Sequence, residues 1–218
     1  MKYIIMADGE GKRWNNYMGV PKHLIELNGE RLIDRTVRLL KENDIKDIII
    51  MASDERYKIE GTKLIPQSIR EYEVDRFDLQ FLNGEVCYLY GDVYYTEETM
   101  KTIVETETKD YVFFGRYGTV TSQTGKTHDE IFAVKVKDYN LFKDACIKVK
   151  EGLKNGTITV GIGWTVYKYL TNGLNEHILR GHFIQIDDET EDFDYPKDYD
   201  NWITSMKNKL RKEGRYYG

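Results

Sequence analysis

Short apolar runs alternate along this chain with stretches in which apolar residues recur every three or four positions. That alternation predicts strands and helices in turn, as in successive βαβ units. Residues 2–6 read as an apolar strand leading into a glycine-bearing loop that reaches about Pro21. Leu32, Ile33, Thr36, Val37, Leu39 and Leu40 recur at helical spacing, and Asn43-Asp44 ends that helix. Residues 48–51 read as a second, fully buried strand, and residues 63–65 before Pro66 as a short third. A helix is expected over residues 74–82, stopped by Asn83-Gly84. Residues 86–90 form another apolar strand that stops at Gly91-Asp92. Thr96 then caps a helix of about ten residues, with Glu97 and Glu98 in its first turn. Residues 111–114 return as a strand. Two β-rich runs within 115–137, joined across Thr124-Gly125-Lys126, suggest a hairpin and therefore a mixed sheet. Helices are expected over about 138–153 and 161–171, and a last strand over 183–186. Trp202, Ile203, Met206 and Leu210 trace one face of a C-terminal helix.

Composition adds limits. The 218 residues suffice for one large domain, and no shift in composition marks a linker, so residues 1–218 are expected to form a single domain. No apolar run approaches the roughly 20 residues of a membrane span. The opening apolar stretch is too short for a signal-peptide core, which places the protein in the cytoplasm. A net charge of −5 argues against a nucleic-acid partner. Cys87 and Cys146 fit neither a disulfide framework nor a zinc site.

The chemistry concentrates in three places. The first is Ala7-Asp8-Gly9-Glu10-Gly11-Lys12-Arg13, followed by Pro21-Lys22. Glycines let backbone N–H groups approach phosphate oxygens, and Lys12, Arg13 and Lys22 supply the neutralising charge. Two spaced glycines alone equally suit a charged surface turn. The dinucleotide pattern lacks its third glycine, and the triphosphate P-loop lacks its Gly-Lys-Ser/Thr. The second place is Asp92, just after an apolar strand. In an open α/β sheet that is the rim of the ligand crevice, where a carboxylate can hold Mg²⁺; an ordinary turn aspartate also ends strands this way. The third is residues 187–198, where seven carboxylates crowd together. A bound cation would relieve their repulsion, and a solvated acidic loop is the plainer alternative.

The order Gly9-x-Gly11-x-Arg13, Pro21-Lys22-x-Leu24 and Asn28-Gly29-Glu30-x-Leu32-Ile33 resembles the opening signature of the nucleotidyltransferase superfamily. That group includes sugar-phosphate, alditol-phosphate and phosphocholine cytidylyltransferases and the molybdopterin guanylyltransferases. The resemblance implies a Rossmann-like, three-layer α/β/α fold with a mostly parallel mixed sheet. It also implies that Ala7, Asp8, Gly9, Gly11 and Lys12 wrap the nucleotide while Arg13 and Lys22 hold its triphosphate. Asp92 and Asp194, the latter in Asp-x-Pro-x-Asp-Tyr, would be the magnesium ligands; Asp198 fits a helix cap. Asp8 departs from the family, which more often has alanine or glycine there.

The expected partners are a nucleoside triphosphate, CTP in the leading reading, and a phosphorylated sugar, polyol or amino alcohol; a homodimer is left open. Arg70, Arg76, Arg116, Lys126 and His128 fall where an acceptor pocket could be lined, and Trp164 could stack a ring or pack a helix. His177 and His182 are assigned no role. Three rivals stay in play: a molybdopterin guanylyltransferase, a metal-dependent glycosyltransferase of similar sheet architecture, and a catalytically silent nucleotide-binding module. Against the second, Asp92 lacks the Asp-x-Asp partner.

Overall fold

A computed structural model describes residues 1–118, 125, 129–171 and 181–212. The elements run β1 (Lys2–Met6), β2 (Glu26–Leu27), β3 (Glu30–Arg31), α1 (Leu32–Glu42), β4 (Ile48–Met51), β5 (Lys63–Ile65), β6 (Val86–Tyr90) and β7 (Val93–Tyr94). They continue with α2 (Glu97–Glu105), β8 (Tyr111–Arg116), β9 (Glu130–Val136), α3 (Tyr139–Lys154), α4 (Gly163–Leu170), β10 (Phe183–Gln185), β11 (Glu191–Asp192) and α5 (Pro196–Lys212).

Seven strands form one sheet in the order β10-β8-β9-β6-β1-β4-β5, and only β9 runs against the rest. The expected three-layer α/β/α arrangement with a mostly parallel mixed sheet is therefore what the chain adopts. Alternation along β1 shows why. Tyr3, Ile5 and Ala7 face a core built with Ile33, Val37 and Leu40 of α1 and Met100 and Ile103 of α2. Ile4 and Met6 face the opposite core, with Phe142 and Val149 of α3 and Val166 of α4. β1 is covered on both faces, so every position in it from Tyr3 to Met6 is buried.

A third apolar cluster lies apart from the sheet: Trp14, Ile25, Leu27, Leu32, Tyr94, Phe193 and Trp202. It clamps the loop after β1 to β7, β11 and α5. Trp202 supplies the buried ridge of α5, with Ile203 and Met206 packed beside it, as the spacing suggests.

Two expectations fail in this region of the fold. Residues 74–82 are not a helix but two short 3-10 turns, Glu73–Arg76 and Leu79–Phe81. Acidic side chains compete for the backbone there: Asp75 accepts the N–H groups of Glu71 and Tyr72, and Asp78 those of Ser68 and Gln80. Arg116 is not on an acceptor wall. Its buried guanidinium donates to the carbonyl of Thr190 at 2.7 Å and faces Glu191 at 3.5 Å, joining the end of β8 to β11. Lys126, His128 and His177 lie outside the described residues, as does most of the connection between β8 and β9. Among the described residues, no helix is long and apolar enough to cross a membrane.

Candidate active site

Strand order reverses at β1: β4 pairs on one side of it, and β6, reached after β5, on the other. The crevice beyond the carboxyl ends of strands at such a switch point is where ligands bind in open α/β sheets. A cleft of about 380 Å³ opens there, between the loop leaving β1, the last residue of β4 and the residues following β5 and β6.

Its wall begins with the glycine loop. Gly11 adopts φ +58°, which costs glycine nothing, and its carbonyl accepts the N–H groups of Trp14 and Asn15. Buried Trp14 then pins the loop, its indole N–H donating to the carbonyls of Tyr17 and Val20. Asp8, Gly9, Gly11, Lys12, Arg13 and Lys22 all line the cleft. Ala7 lies beneath them, buried, with its N–H given to Met51. Lys12 is largely exposed and pairs with Glu10 at 2.7 Å.

Opposite stands Asp92, at the turn after β6. The turn sits hard against β1: a Cβ on Gly91 would come within 2.7 Å of the Met6 carbonyl oxygen, so only glycine allows this approach. β7 follows at once and pairs antiparallel with β11, placing Asp192 opposite Val93, and the N–H of Phe193 donates to the carbonyl of Asp92 at 2.9 Å. Asp194 is thereby carried to the cleft. Asp198, in the first turn of α5, accepts the N–H groups of Asp194 and Tyr195 and sets the bend between them. The capping role expected for Asp198 is what it performs.

The four residues singled out from sequence thus meet. Lys22 Nζ contacts Asp92 and lies 3.0 Å from Asp194, whose other oxygen is 2.9 Å from Arg13. Burial would raise the Asp92 carboxyl, but the Lys22 charge prevails, with His23 and Arg76 adding to it, and holds it well below the usual carboxylate range. Lys22 is raised in turn: desolvation opposes its charge, and Asp92 and Asp194 outweigh that cost. An ammonium held by both carboxylates shows that their oxygens can converge on one cation. Such hard oxygen donors suit Mg²⁺. Glu130 and Asp192 add to the acidic end, their carboxylates lying within 4.8 Å of each other and of Asp194.

Asp8 behaves differently. Its carboxylate accepts the N–H of Ser53 at 3.0 Å, the hydroxyl of Ser53 at 3.0 Å and the N–H of Gln67 at 2.9 Å, and pairs with Arg70. Those bonds tie the loop after β1 to the chain leaving β4 and β5, and they absorb the negative charge that would otherwise face a phosphate. Of the cations expected on the acceptor side, Arg70 and Arg76 line the cleft, Arg76 lying over the Tyr90 ring at 5.3 Å. Trp164 packs instead, stacked on Phe183 with ring centres 5.4 Å apart.

Sequence reasoning gave no role to His23, Gln67 or Tyr90, and within the acidic run 187–198 it singled out Asp194 and not Asp192. Gln67 was within reach, since it follows a strand on the crevice side. His23 is fully buried beside the cleft, with Nδ1 3.0 Å from the Tyr57 hydroxyl. Burial depresses its pKa to about 4. The folded form therefore resists a proton that the unfolded chain accepts near pH 6.5, and stability should fall as pH drops from about 6.5 to 4, by up to about 3 kcal/mol. Urea titrations of the parent and of His23→Gln across that window check this; an equal slope in both would remove His23 as the cause.

This doubly wound sheet, with its glycine-and-cation loop at the switch point, shares its fold with solved structures to which the chain is similar. One is the CTP:phosphocholine cytidylyltransferase from Streptococcus pneumoniae, with 16% identity and a TM-score of 0.58 over 94% of this chain and 99% of that one. Another is described as a glucose-1-phosphate thymidylyltransferase from Bacillus anthracis, solved with sucrose: 16% identity, TM-score 0.61, 100% and 96% covered. The third is the inositol-1-phosphate CTP transferase from T. maritima, with 12% identity and a TM-score of 0.60 over 94% and 95%. No family model matches the chain, and no curated protein matches it in sequence.

Proposed function

We propose that this protein is a nucleotidyltransferase that moves a nucleoside monophosphate from a nucleoside triphosphate to a small phosphorylated acceptor and releases pyrophosphate. The observation that carries this reading is the meeting of Arg13, Lys22, Asp92 and Asp194 at one end of the cleft. CTP is the preferred donor in this reading, supported by two of the structures named above being CTP enzymes. Phosphocholine, inositol 1-phosphate and glucose 1-phosphate, named for those structures, support the acceptor class of this reading: a phosphate monoester of an amino alcohol, polyol or sugar.

In the reaction an acceptor phosphate oxygen attacks the α-phosphorus, and the bond from that phosphorus to the bridging oxygen of pyrophosphate breaks. Two anions must approach in line, so positioning and charge neutralisation do most of the catalysis. Backbone N–H groups of the Gly9–Gly11 loop and the Arg13 guanidinium would bind the triphosphate, and Lys22 would offset charge on the departing pyrophosphate. Asp92 and Asp194 would hold Mg²⁺, which when bound supplies charge neutralisation between donor and acceptor phosphates. An acceptor phosphate is already ionised, so neither a protein nucleophile nor a general base is needed.

Pyrophosphate release from each of the four nucleoside triphosphates, with phosphocholine, inositol 1-phosphate and glucose 1-phosphate as acceptors, tests the proposal. A glycosyltransferase would release none, and a silent module would bind without turnover. Arg13→Ala is expected to weaken nucleotide binding by about 1.5–3 kcal/mol, the worth of a charge-assisted contact. Calorimetric titration measures it, and an unchanged affinity would move the triphosphate elsewhere.

A further inference from the structure

Lys22 occupies the place on which both carboxylates converge. Its Nζ touches Asp92 and lies 3.0 Å from Asp194, and the three side chains are only 12, 13 and 14% exposed. Arg13 holds the second oxygen of Asp194 at 2.9 Å. Arg13, itself half exposed, and Arg76 beside Asp92 add positive charge, while Glu130 and Asp192 beside Asp194 add negative charge. Around the three shielded groups an added charge is costly unless a counter-charge comes with it.

The geometry points to Lys22 as the resident counter-ion of the metal site, so that the site takes a divalent cation only together with a polyphosphate. This rests on the transferase reading above. A divalent ion arriving alone meets an ammonium of like charge on the very oxygens it needs. A polyphosphate arriving with it draws Lys22 and Arg13 onto phosphate oxygens and releases both carboxylates to the ion. Linkage then requires ion and nucleotide to strengthen each other's binding by one common factor. Lys22 is in this sense a selector as well as a phosphate ligand: it keeps the two acids together and charge-balanced until the correct pair of ligands arrives.

The experiment uses Mn²⁺ alone, with no nucleotide, followed by the electron paramagnetic resonance signal of the free ion. The parent is expected to bind it weakly, and Lys22→Met to bind it at least about tenfold more tightly, because a like charge has been removed from the site. Mn²⁺ should also raise the melting temperature of Lys22→Met more than that of the parent. Adding Asp194→Asn to Lys22→Met should reverse the gain. Lys22→Gln carries the same comparison should Lys22→Met not fold. Equal Mn²⁺ affinity in the parent and in the neutral variants would overturn the inference, as would a gain that survives Asp194→Asn. Since neither nucleotide nor turnover enters this comparison, its failure is distinct from failure of the transferase reading, which would appear as absence of pyrophosphate release from the parent.

Discussion

Asp92→Asn is expected to reduce pyrophosphate release by on the order of a thousandfold while leaving the fold in place. The amide keeps the shape of the side chain but cannot carry the charge that a metal–triphosphate complex requires. The fold should survive because the segment is held by its backbone: the Asp92 carbonyl accepts the N–H of Phe193, and β7 pairs with β11 whichever side chain is present. Lys22 keeps Asp194 as a partner at 3.0 Å, so the stability lost should stay near the worth of one charged hydrogen bond, about 1.5–3 kcal/mol. Steady-state turnover in magnesium beside a circular-dichroism melt makes the comparison. Turnover near the parent level would remove Asp92 from the mechanism.

Asp8→Ala should act in the opposite sense, on stability first. Alanine is among the residues that the resembling family more often has here, yet in this chain the carboxylate, 7% exposed, takes hydrogen bonds from two backbone N–H groups and a hydroxyl and pairs with Arg70. Removing it strips Ser53 and Gln67 of their acceptor and releases Arg70 into the cleft, for a cost of about 3 kcal/mol. Chemical denaturation measures that cost. A variant as stable as the parent would mean that water replaces the carboxylate without loss, and Asp8 would then be no strut between the strand ends.

Much of the scaffold was legible because its causes are local. The strands at 48–51, 63–65 and 86–90 came out at their observed bounds, and α1 ends where Asn43 and Asp44 were expected to stop it, Asp44 in the left-handed region at φ 61°. Thr96 caps α2 by accepting the N–H of Thr99 at 3.0 Å. Residues 74–82 went wrong for a reason also written in side chains. Asp75 and Asp78 offer the backbone carboxylate acceptors that a helical pattern of apolar residues does not reveal. The acidic run at 187–198 was harder still. It reads as one repelling patch, whereas the folded chain distributes it: Asp188 accepts the Thr99 hydroxyl at 2.7 Å, Glu191 faces Arg116, and Asp194 alone meets Lys22 and Arg13.

Strand and helix order, the glycine–cation loop and the pair of acids worth watching all follow from residue type and spacing, since periodicity, capping and turn chemistry act over a few neighbours. Their assembly into one site does not. Asp194 reaches Asp92 through the β7–β11 pairing and through a cluster in which Trp14, Phe193 and Trp202 bury one another. Arg116 and Asp8 are withdrawn into structural pairs by groups far away in the chain. A side chain's partner at long range depends on where the whole sheet carries it, and burial then decides whether its charge is available to a ligand or already spoken for.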